Sequence, residues 1–262
     1  MTLPLAHTVA AVTGASSGIG RATSLALARL GAKLILIGRD ERRLAACAHE
    51  VERAGGGSEW RCCDLSATDE VAELARWLGA LRPNVGLLVN NAGAFSRAKS
   101  IRWIDRDAWH DTVALNLTAP YMLTQACLPA MLEMGGGTII TISSVAARTP
   151  SALGGAAYGA AKAGVANLMR GVSTELRDRG IRACTIFPGE VDSPMHLQRP
   201  KPPDAAARST MMHPEDVAAV VALVASLPAR TLVEEVVMAP TVRRDVREDL
   251  RIALAEGDPA SA

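Results

Sequence analysis

The chain has 262 residues, of which 49% are hydrophobic and 21% are charged, and its formal net charge is +1. A chain of this length and composition can bury a substantial core in one large domain or two small ones. The balance of 28 basic and 27 acidic residues gives no electrostatic reason to expect nucleic acid or an anionic membrane as the main partner.

Apolar runs of strand length alternate with longer segments of helical periodicity along the chain. The predicted strands are 8–13, 33–38, 58–63, 86–91, 138–143, 181–187 and 233–238. The predicted helices are 21–31, 40–57, 69–81, 107–134, 156–179 and 214–227. Seven apolar strands separated by helices predict a single-domain α/β fold, a doubly wound seven-stranded parallel sheet with helices on both faces.

Two segments depart from this alternation. Residues 193–213 form the one loop-like insertion, and we expect a mobile lid over the substrate, a role that does not exclude an ordinary surface loop. From residue 243 the charges alternate, which is typical of a surface helix or a frayed tail. We therefore predict a dinucleotide-binding domain over residues 1–242 and a charged tail over residues 243–262.

The amino terminus and the longest uncharged stretch give no sign of targeting or membrane insertion. The opening residues, MTLPLAHTVAAV, lack the basic start and clean apolar core of a signal peptide. Residues 112–132 carry no charge, but their asparagine, glutamine and two prolines favour buried helices over a membrane span. The five cysteines include no CxxC pair, so we expect reduced thiols, a cytoplasmic protein and no metal site.

The stretch TGASSGIG, residues 13–20, follows the first predicted strand and leads into the first predicted helix. Glycines at that point leave backbone N–H groups accessible at a helix N-terminus, where the helix dipole also favours a pyrophosphate. A plain glycine-rich turn is the alternative, because such a motif is weak when it stands alone.

The spacing Gly14-x-x-x-Gly18-x-Gly20 resembles the TGxxxGxG motif of the classical short-chain dehydrogenases/reductases. The resemblance covers about residues 8–240 and implies an enzyme that moves a hydride between a nicotinamide cofactor and a secondary alcohol or carbonyl. Further matches follow in the family's order: DL at 64–65, NNAG at 90–93, Asn116, ISS at 142–144, YGAAK at 158–162 and PGEVDSP at 188–194.

Tyr158 and Lys162 lie four residues apart, so a helix places both side chains on one face. A nearby ammonium and a positively charged nicotinamide lower the pKa of a phenol, which can then exchange a proton with an alcohol or carbonyl oxygen. Alone, a Tyr-x-x-x-Lys sequence is more often a surface pair, but this chain has only two tyrosines.

The resemblance adds two residues to this pair. Ser144, at the carboxyl end of the strand 138–143, would hold the substrate oxygen, with Ser143 as the alternative. Asn116 would complete a tetrad by holding a water that relays protons to Lys162, or it is a satisfied core asparagine. The predicted catalytic residues are Asn116, Ser144, Tyr158 and Lys162.

The end of the second strand bears on the choice of cofactor. The position that usually carries an acid for the ribose 2′-hydroxyl of NAD is Gly38, and Arg39 follows it. A guanidinium suits a 2′-phosphate, which favours NADP(H) over NAD(H). We interpret Asp40 as the N-cap of the next helix. Against NADP(H), Ser17 stands where many NADP-using relatives carry arginine.

By the same resemblance, Asp64 would meet the adenine amino group, unless it caps the following helix. Val191 would bind the nicotinamide carboxamide through its backbone, and Ser193 keeps a hydroxyl where the family usually has threonine. The predicted cofactor-binding residues are Gly14, Ser16, Ser17, Gly18, Ile19, Gly20, Arg39, Asp64, Leu65, Asn91, Ala92, Gly93, Tyr158, Lys162, Pro188, Gly189, Val191 and Ser193.

The substrate is specified more weakly. Arg148 and Arg199 are candidates for meeting an acid, although exposed arginines are normally only solvated. The ending LVEEVVMAPT departs from the glycine-rich ending of acyl-carrier-protein ketoreductases and looks more like relatives that act on small 3-hydroxy acids or serine. The lid offers mostly apolar side chains, namely Met195, His196, Leu197, Met211 and Met212.

Two alternative functions remain open, and the family also implies an assembly. A 3-oxoacyl-type ketoreductase is the alternative within the family. A catalytically silent nucleotide-binding redox regulator is the alternative outside it, and the intact catalytic set argues against that role. By resemblance, the helices over 107–134 and 156–179 form the main subunit interface of a homotetramer or homodimer.

Overall fold

Seven strands form one sheet in the computed structural model, which describes residues 3–258. The strands are β1 (Val9–Thr13), β2 (Lys33–Gly38), β3 (Ser58–Cys62), β4 (Val85–Asn90), β5 (Gly137–Ile142), β6 (Ile181–Pro188) and β7 (Glu235–Met238). They run parallel in the order β3-β2-β1-β4-β5-β6-β7. The predicted seven-stranded parallel sheet of Rossmann type is confirmed.

Helices follow the strands in the predicted alternation. They are α1 (Gly18–Arg29), α2 (Glu41–Arg53), α3 (Thr68–Ala80), α4 (Arg106–Val113), α5 (Ala119–Glu133), α6 (Ala156–Leu176), α7 (Ala205–Arg208), α8 (Pro214–Ser226) and α9 (Arg247–Ala255). Asp40 caps α2 as expected, because its side chain accepts a hydrogen bond from the Arg43 backbone N–H at 3.0 Å. The predicted helix over 107–134 is divided by a π-helical turn at Ala114–Thr118.

The core lies in two layers, one on each face of the sheet. Side chains alternate along a strand, so Ala10 and Val12 pack with α1, α2 and α8, whereas Val9 and Ala11 pack with α3, α5 and α6. Both faces are covered, which explains why the strands are apolar throughout. β3, at the edge, is more exposed than the central strands, as its weaker pattern predicted.

The strand order reverses between β1 and β4, and this reversal positions the site. β1 pairs with β2 on one side and β4 on the other, so the connections leave in opposite directions and open a crevice at the carboxyl ends. The two ends are tied together by Thr13, whose Oγ1 accepts hydrogen bonds from the backbone N–H groups of Asn91 and Ala92 at 2.9 and 3.0 Å.

The segment predicted as a lid is folded rather than an open loop. It contains a 3-10 turn at Pro194–Gln198 and the short α7. Its far end returns to the sheet, because Met212 makes an isolated parallel bridge with Val191. Arg208 also pairs with Asp192 at 2.8 Å. The mobility of this segment stays a prediction.

The charged tail folds back onto the rest of the molecule. Arg244 pairs with Glu190 at 2.8 Å and Arg97 pairs with Glu256 at 2.9 Å. These ion pairs hold α9 near the lid and the loop after β6. The end of the predicted tail, residues 259–262, lies outside the described residues.

Within residues 3–258, no helix combines the length and apolar character needed to cross a bilayer. Over the same residues, no cluster of His, Cys, Asp and Glu side chains is arranged to hold a metal ion. All five cysteines are free thiols, and only Cys62 is exposed.

Candidate active site

A cavity of about 500 Å³ runs along the carboxyl ends of the strands, from the glycine loop to the lid. Of the predicted site residues, only Gly20 and Asn116 do not border it. Those that do are Gly14, Ser16, Ser17, Gly18, Ile19, Arg39, Asp64, Leu65, Asn91, Ala92, Gly93, Ser144, Tyr158, Lys162, Pro188, Gly189, Val191 and Ser193.

The glycine loop presents an uncapped helix N-terminus to this cavity. Gly14 and Gly18 have φ angles of +65° and +51°, which residues other than glycine rarely adopt. The N-cap residue of α1, Ser17, makes no side-chain capping bond, and the first turn has no acidic residue. The free N–H groups and the helix dipole therefore fit the pyrophosphate of a dinucleotide.

Gly20 supports the loop from behind. A Cβ at this position would collide with the carbonyl oxygen of Gly14 and the side-chain amide of Asn91. Asn91 in turn donates from Nδ2 to the carbonyl oxygen of Thr13 at 2.8 Å. Gly20 is thus a packing residue for the loop, and Asn91 braces β4 against it while also bordering the cavity.

Two arginines border the cavity beyond the end of β2. Arg39 was expected there, and Arg43, on the first turn of α2, was not. Asp40 is engaged by its capping bond and by an ion pair with the Arg43 guanidinium at 3.3 Å. Gly38 contributes no side chain, so the two guanidiniums and the paired carboxylate of Asp40 are the charged groups next to the end of β2.

Asp64 lies on the same wall and does not cap α3, whose N-cap is Ala67. Its Oδ1 accepts from the hydroxyl and the backbone N–H of Ser66 at 2.7 and 2.9 Å. These hydrogen bonds, together with the charge of Arg39, lower the pKa of Asp64 against the opposing effect of partial burial. The capping alternative for Asp64 is therefore wrong.

The loop after β6 brings its backbone to the middle of the cavity. The bridge to Met212 uses the backbone groups of Glu190 and Asp192 and does not use those of Val191. Ser193 lies against the glycine loop, with its Cβ 3.4 Å from the position that a side chain on Gly18 would occupy. The loop therefore lies near the N-terminus of α1, and it borders the same cavity as Tyr158 and Lys162.

Tyr158 and Lys162 lie on one face of α6, as their spacing predicted. Lys162 Nζ is 5.6 Å from the centroid of the Tyr158 ring, and both residues are buried. Lys162 Nζ also donates to the carbonyl oxygen of Ile142, at the end of β5, at 2.9 Å. The surface-pair alternative is wrong.

The two serines after β5 have separate positions. Ser143 is buried, and its hydroxyl donates to the carbonyl oxygen of Lys162 at 2.9 Å, which holds α6 against the sheet. Ser144 borders the cavity beside Tyr158, and its Oγ accepts from the Ala146 backbone N–H at 3.1 Å. Ser144, not Ser143, is therefore available to a substrate oxygen.

Asn116 lies in the π-helical turn and is completely buried. Its Nδ2 donates to the carbonyl oxygens of Ala94 and Thr112 at 3.0 and 2.9 Å, while its Oδ1 has no partner within the described chain. A Cβ on Gly93 would lie 2.8 Å from this oxygen and 3.1 Å from Lys162 Nζ. The free acceptor of Asn116 therefore lies near the lysine ammonium, behind the cavity wall.

The protein's own groups act on the pKa of Tyr158 mainly through burial. Burial raises it to about 12, although hydrogen bonding to Ser144 and the positive charge of Arg199 oppose that rise. Burial also lowers the pKa of Lys162 to about 8. The protein alone therefore keeps the phenol protonated at neutral pH.

The substrate side of the cavity contains residues that motif spacing does not reveal. Phe95 packs edge-on against Tyr158, with ring centroids 4.7 Å apart, and its ring centroid lies 6.4 Å from that of His196. Arg199 is buried, borders the cavity and pairs with Glu190 at 2.8 Å. Arg148 instead pairs with Glu235 outside the cavity lining, so only one of the two candidate arginines reaches the site.

A family model described as short chain dehydrogenase matches residues 8–203. A 3beta-hydroxysteroid dehydrogenase of Mediterraneibacter gnavus is 35% identical over 186 residues, which is 70% of this chain and 66% of that protein. The chain thus spans about two thirds of the length of that relative. A cis-4-hydroxycyclohexanecarboxylate dehydrogenase of Sinomonas cyclohexanicum is 34% identical over 230 residues, which is 84% of this chain and 90% of that protein.

Among solved structures, a metagenomic short-chain oxidoreductase in complex with NADP superposes with a TM-score of 0.78 at 37% identity. The match covers 91% of this chain and all of that one. The glycine loop, the Ser144, Tyr158 and Lys162 constellation and these matches agree in one conclusion: the chain belongs to the short-chain dehydrogenase family of oxidoreductases.

Proposed function

We propose that the chain interconverts a secondary alcohol and a carbonyl, with Tyr158 as the acid/base and NADP(H) preferred over NAD(H). One observation carries the chemistry: the phenol of Tyr158 and the ammonium of Lys162 are buried side by side, next to Ser144, on a cavity that begins at an uncapped helix N-terminus. A bound nicotinamide supplies or accepts the hydride.

The chain's own residues handle the substrate oxygen and its proton. Ser144 orients the oxygen, and the protonated phenol of Tyr158 donates to it during reduction, in keeping with the raised pKa. In alcohol oxidation, the Tyr158 phenolate would accept the proton of the substrate hydroxyl, and a bound oxidised nicotinamide would favour that phenolate through its positive charge. After reduction, Lys162 returns a proton to the Tyr158 phenolate, and Asn116 lies behind Lys162.

The cofactor preference rests on the corner beyond β2. The chain binds NAD(P), and Arg39 and Arg43 give that corner two guanidiniums suited to a 2′-phosphate. Asp40 also borders the cavity, but its carboxylate already accepts the capping bond and pairs with Arg43. The relative solved with NADP supports the same preference.

The substrate proposed is a small 3-hydroxy acid or a related compound. The relative that is named for cis-4-hydroxycyclohexanecarboxylate acts on a hydroxy acid, which supports this class. A 3-oxoacyl-type ketoreductase stays the alternative, since the chain is also 30% identical over 223 residues to a relative named 3-oxoacyl-[acyl-carrier-protein] reductase.

We further propose residues 193–213 as the substrate lid, residues 1–242 as the dinucleotide-binding domain and residues 243–262 as its tail. Assembly through α4, α5 and α6 into a homotetramer or homodimer is also proposed, and α5 carries the exposed Tyr121 on its surface. The five free thiols are in keeping with a cytoplasmic location.

Tyr158→Phe tests the chemistry. We expect kcat/KM for ketone reduction, followed at 340 nm over a panel of alcohols and ketones, to fall by about 10²- to 10⁴-fold, the usual contribution of a general acid. Cofactor affinity, measured by fluorescence titration, stays near the wild-type value.

The chain supplies a matched control in its other tyrosine, the exposed Tyr121. Tyr121→Phe should leave turnover unchanged. Full activity in Tyr158→Phe would contradict the proposal, and a wild-type protein that binds cofactor but turns over no member of the panel would favour the silent redox regulator.

A further inference from the structure

Two side chains on the lid side of the cavity are buried but incompletely hydrogen-bonded. Arg199 and His196 are 8% and 7% exposed, and both border the cavity. Arg199 donates from Nη1 to Glu190, but its Nε has no partner within residues 3–258, and His196 Nδ1 has none either. Because buried polar nitrogens are nearly always paired, these two indicate a wall built to meet an acceptor from a ligand.

The carboxylates near this wall are already shared between cations. Glu190 accepts from Arg199 and from Arg244, and the hydrogen bonds from these two arginines outweigh the effect of burial and lower its pKa to about 2. Arg244 also pairs with Asp249, which is shared with Lys201. Glu190 therefore only partly neutralises Arg199.

A further buried cation lies behind the wall. Lys99 is 2% exposed, and no ion pair joins it to a carboxylate among the residues that the structure describes. Its Nζ donates to the carbonyl oxygen of Ser96 and lies 4.6 Å from the centroid of the Phe95 ring. Since Phe95 borders the cavity, Lys99 adds positive potential to the substrate side.

This wall is next to the reacting phenol. The ring of Phe95 touches Tyr158 on one side and approaches His196 on the other. The positive charge of Arg199 also acts to lower the pKa of the Tyr158 phenol, against the larger effect of burial. A substrate whose carbonyl reaches Tyr158 therefore extends its remaining atoms toward Arg199 and His196.

We propose that the substrate carries a carboxylate and that Arg199 binds it, with His196 as an uncharged hydrogen-bonding partner. This inference rests on the alcohol and carbonyl chemistry proposed above. Burial and the charge of Arg199 lower the pKa of His196 to about 4, so the ring is neutral at pH 7. One partly neutralised guanidinium suits a monoanion, whereas the second charge of a phosphate would face Glu190.

The first test measures binding without turnover. Cyclohexanecarboxylate and cyclohexanecarboxamide have the same shape, and neither has an alcohol or ketone that can react. In calorimetric titrations of the NADP⁺-loaded protein, we expect the carboxylate to bind about 10- to 100-fold more tightly than the amide, as for a charge-assisted hydrogen bond. Equal affinities, or no binding of either compound, would overturn the proposal.

The second test measures turnover of 4-oxocyclohexanecarboxylate and its methyl ester. Arg199→Gln should raise KM for the acid about 10- to 100-fold and abolish the preference for the acid over the ester. Arg199→Lys should keep part of that preference. The matched control is Arg251→Gln, which removes an exposed arginine of α9 that pairs with Glu248 and does not border the cavity, and it should keep all of that preference.

Each outcome separates the two proposals. If the carboxylate binds preferentially but neither ketone is reduced, the alcohol and carbonyl chemistry is wrong and the carboxylate site stands. If both ketones are reduced at equal efficiency, the carboxylate site is wrong and the chemistry stands. An Arg199→Gln protein that loses acid and ester turnover equally shows a structural role for Arg199. If Arg199→Gln does not fold, the wild-type affinities for the carboxylate and the amide, together with the turnover of Arg199→Lys, test the carboxylate site.

Discussion

The cofactor end of the cavity is shaped by backbone, whereas the substrate end is held together by charged side chains. At the cofactor end, Gly14 and Gly18 adopt positive φ angles, and α1 starts without a side-chain cap. At the substrate end, Glu190 connects Arg199 on the lid to Arg244 on the tail. The first arrangement depends on backbone angles and glycine packing, and the second on ion pairs between side chains as many as 54 positions apart. We therefore expect the two ends to fail in different ways when they are mutated.

Gly20→Ala should have the largest effect, because it attacks the backbone geometry of the cofactor end. The new Cβ would displace the carbonyl of Gly14 and the Asn91 amide, and a displacement of about 1 Å costs on the order of 100-fold in kcat/KM. Overpacking should also lower the free energy of unfolding by about 1–3 kcal/mol. Steady-state kinetics with varied NADPH and urea unfolding measure the two effects.

Gly171→Ala is the matched control, since Gly171 lies in α6 with no atom within 4 Å of the added Cβ. This change should leave kinetics unchanged and raise stability by about 0.5–1 kcal/mol, the usual gain in a helix. Wild-type NADPH kinetics in Gly20→Ala would show that the loop does not depend on that contact.

Arg39→Ala should have a smaller and more selective effect. Loss of a charge-assisted contact to a 2′-phosphate should raise KM for NADPH about 10- to 100-fold and leave KM for NADH little changed. Arg42→Ala is the control, because Arg42 is exposed on α2 and does not border the cavity. Equal effects of Arg39→Ala on both cofactors would reject the preference for NADP(H).

Glu190→Gln tests the substrate end through its pH dependence. The folded-state pKa of Glu190 is about 2, below its ordinary value of 4.5, so its charge stabilises the fold above pH 4.5. That contribution, at most about 3 kcal/mol for the partly exposed carboxylate, is lost as the pH falls from 4.5 toward 2. Urea unfolding should therefore show a wild-type advantage at pH 6 that shrinks over this interval.

Glu59→Gln serves as the control for Glu190→Gln, because Glu59 is exposed on the edge strand β3. Glu59→Gln should leave the free energy of unfolding near the wild-type value, as is usual for an exposed substitution. A stability difference between wild type and Glu190→Gln that is constant from pH 6 to pH 3 would mean that the carboxylate charge of Glu190 contributes nothing.

The sequence predicted the sheet and the cofactor end because their signals are local. Strand boundaries follow from continuous apolar runs, and Tyr158 and Lys162 share a face because helical spacing requires it. The cap formed by Asp40 was likewise readable from its position before a helix. The sequence could not exclude Ser143 from the site, since only the structure shows that its hydroxyl holds α6 against the sheet.

The substrate end was predicted least well, for a physical reason. Lys99 is buried against Phe95, although a lysine in a polar loop is normally solvated. The pairing of Glu190 with Arg244 joins residues with no pattern in common. Burial raises the pKa of Tyr158 in the protein alone, and spacing gives no measure of burial.

The π-helical turn at Ala114–Thr118 divides one long helical segment into α4 and α5, whose faces point in different directions. An α-helix turns by about 100° per residue, so the extra residue in this turn offsets α4 from α5 by that angle. Deleting one residue there would restore a regular helix and rotate Asn116 away from the neighbourhood of Gly93 and Lys162. The proposed proton relay through Asn116 would thus depend on a single inserted position, and a one-codon deletion would disconnect it while leaving every proposed catalytic side chain in the gene.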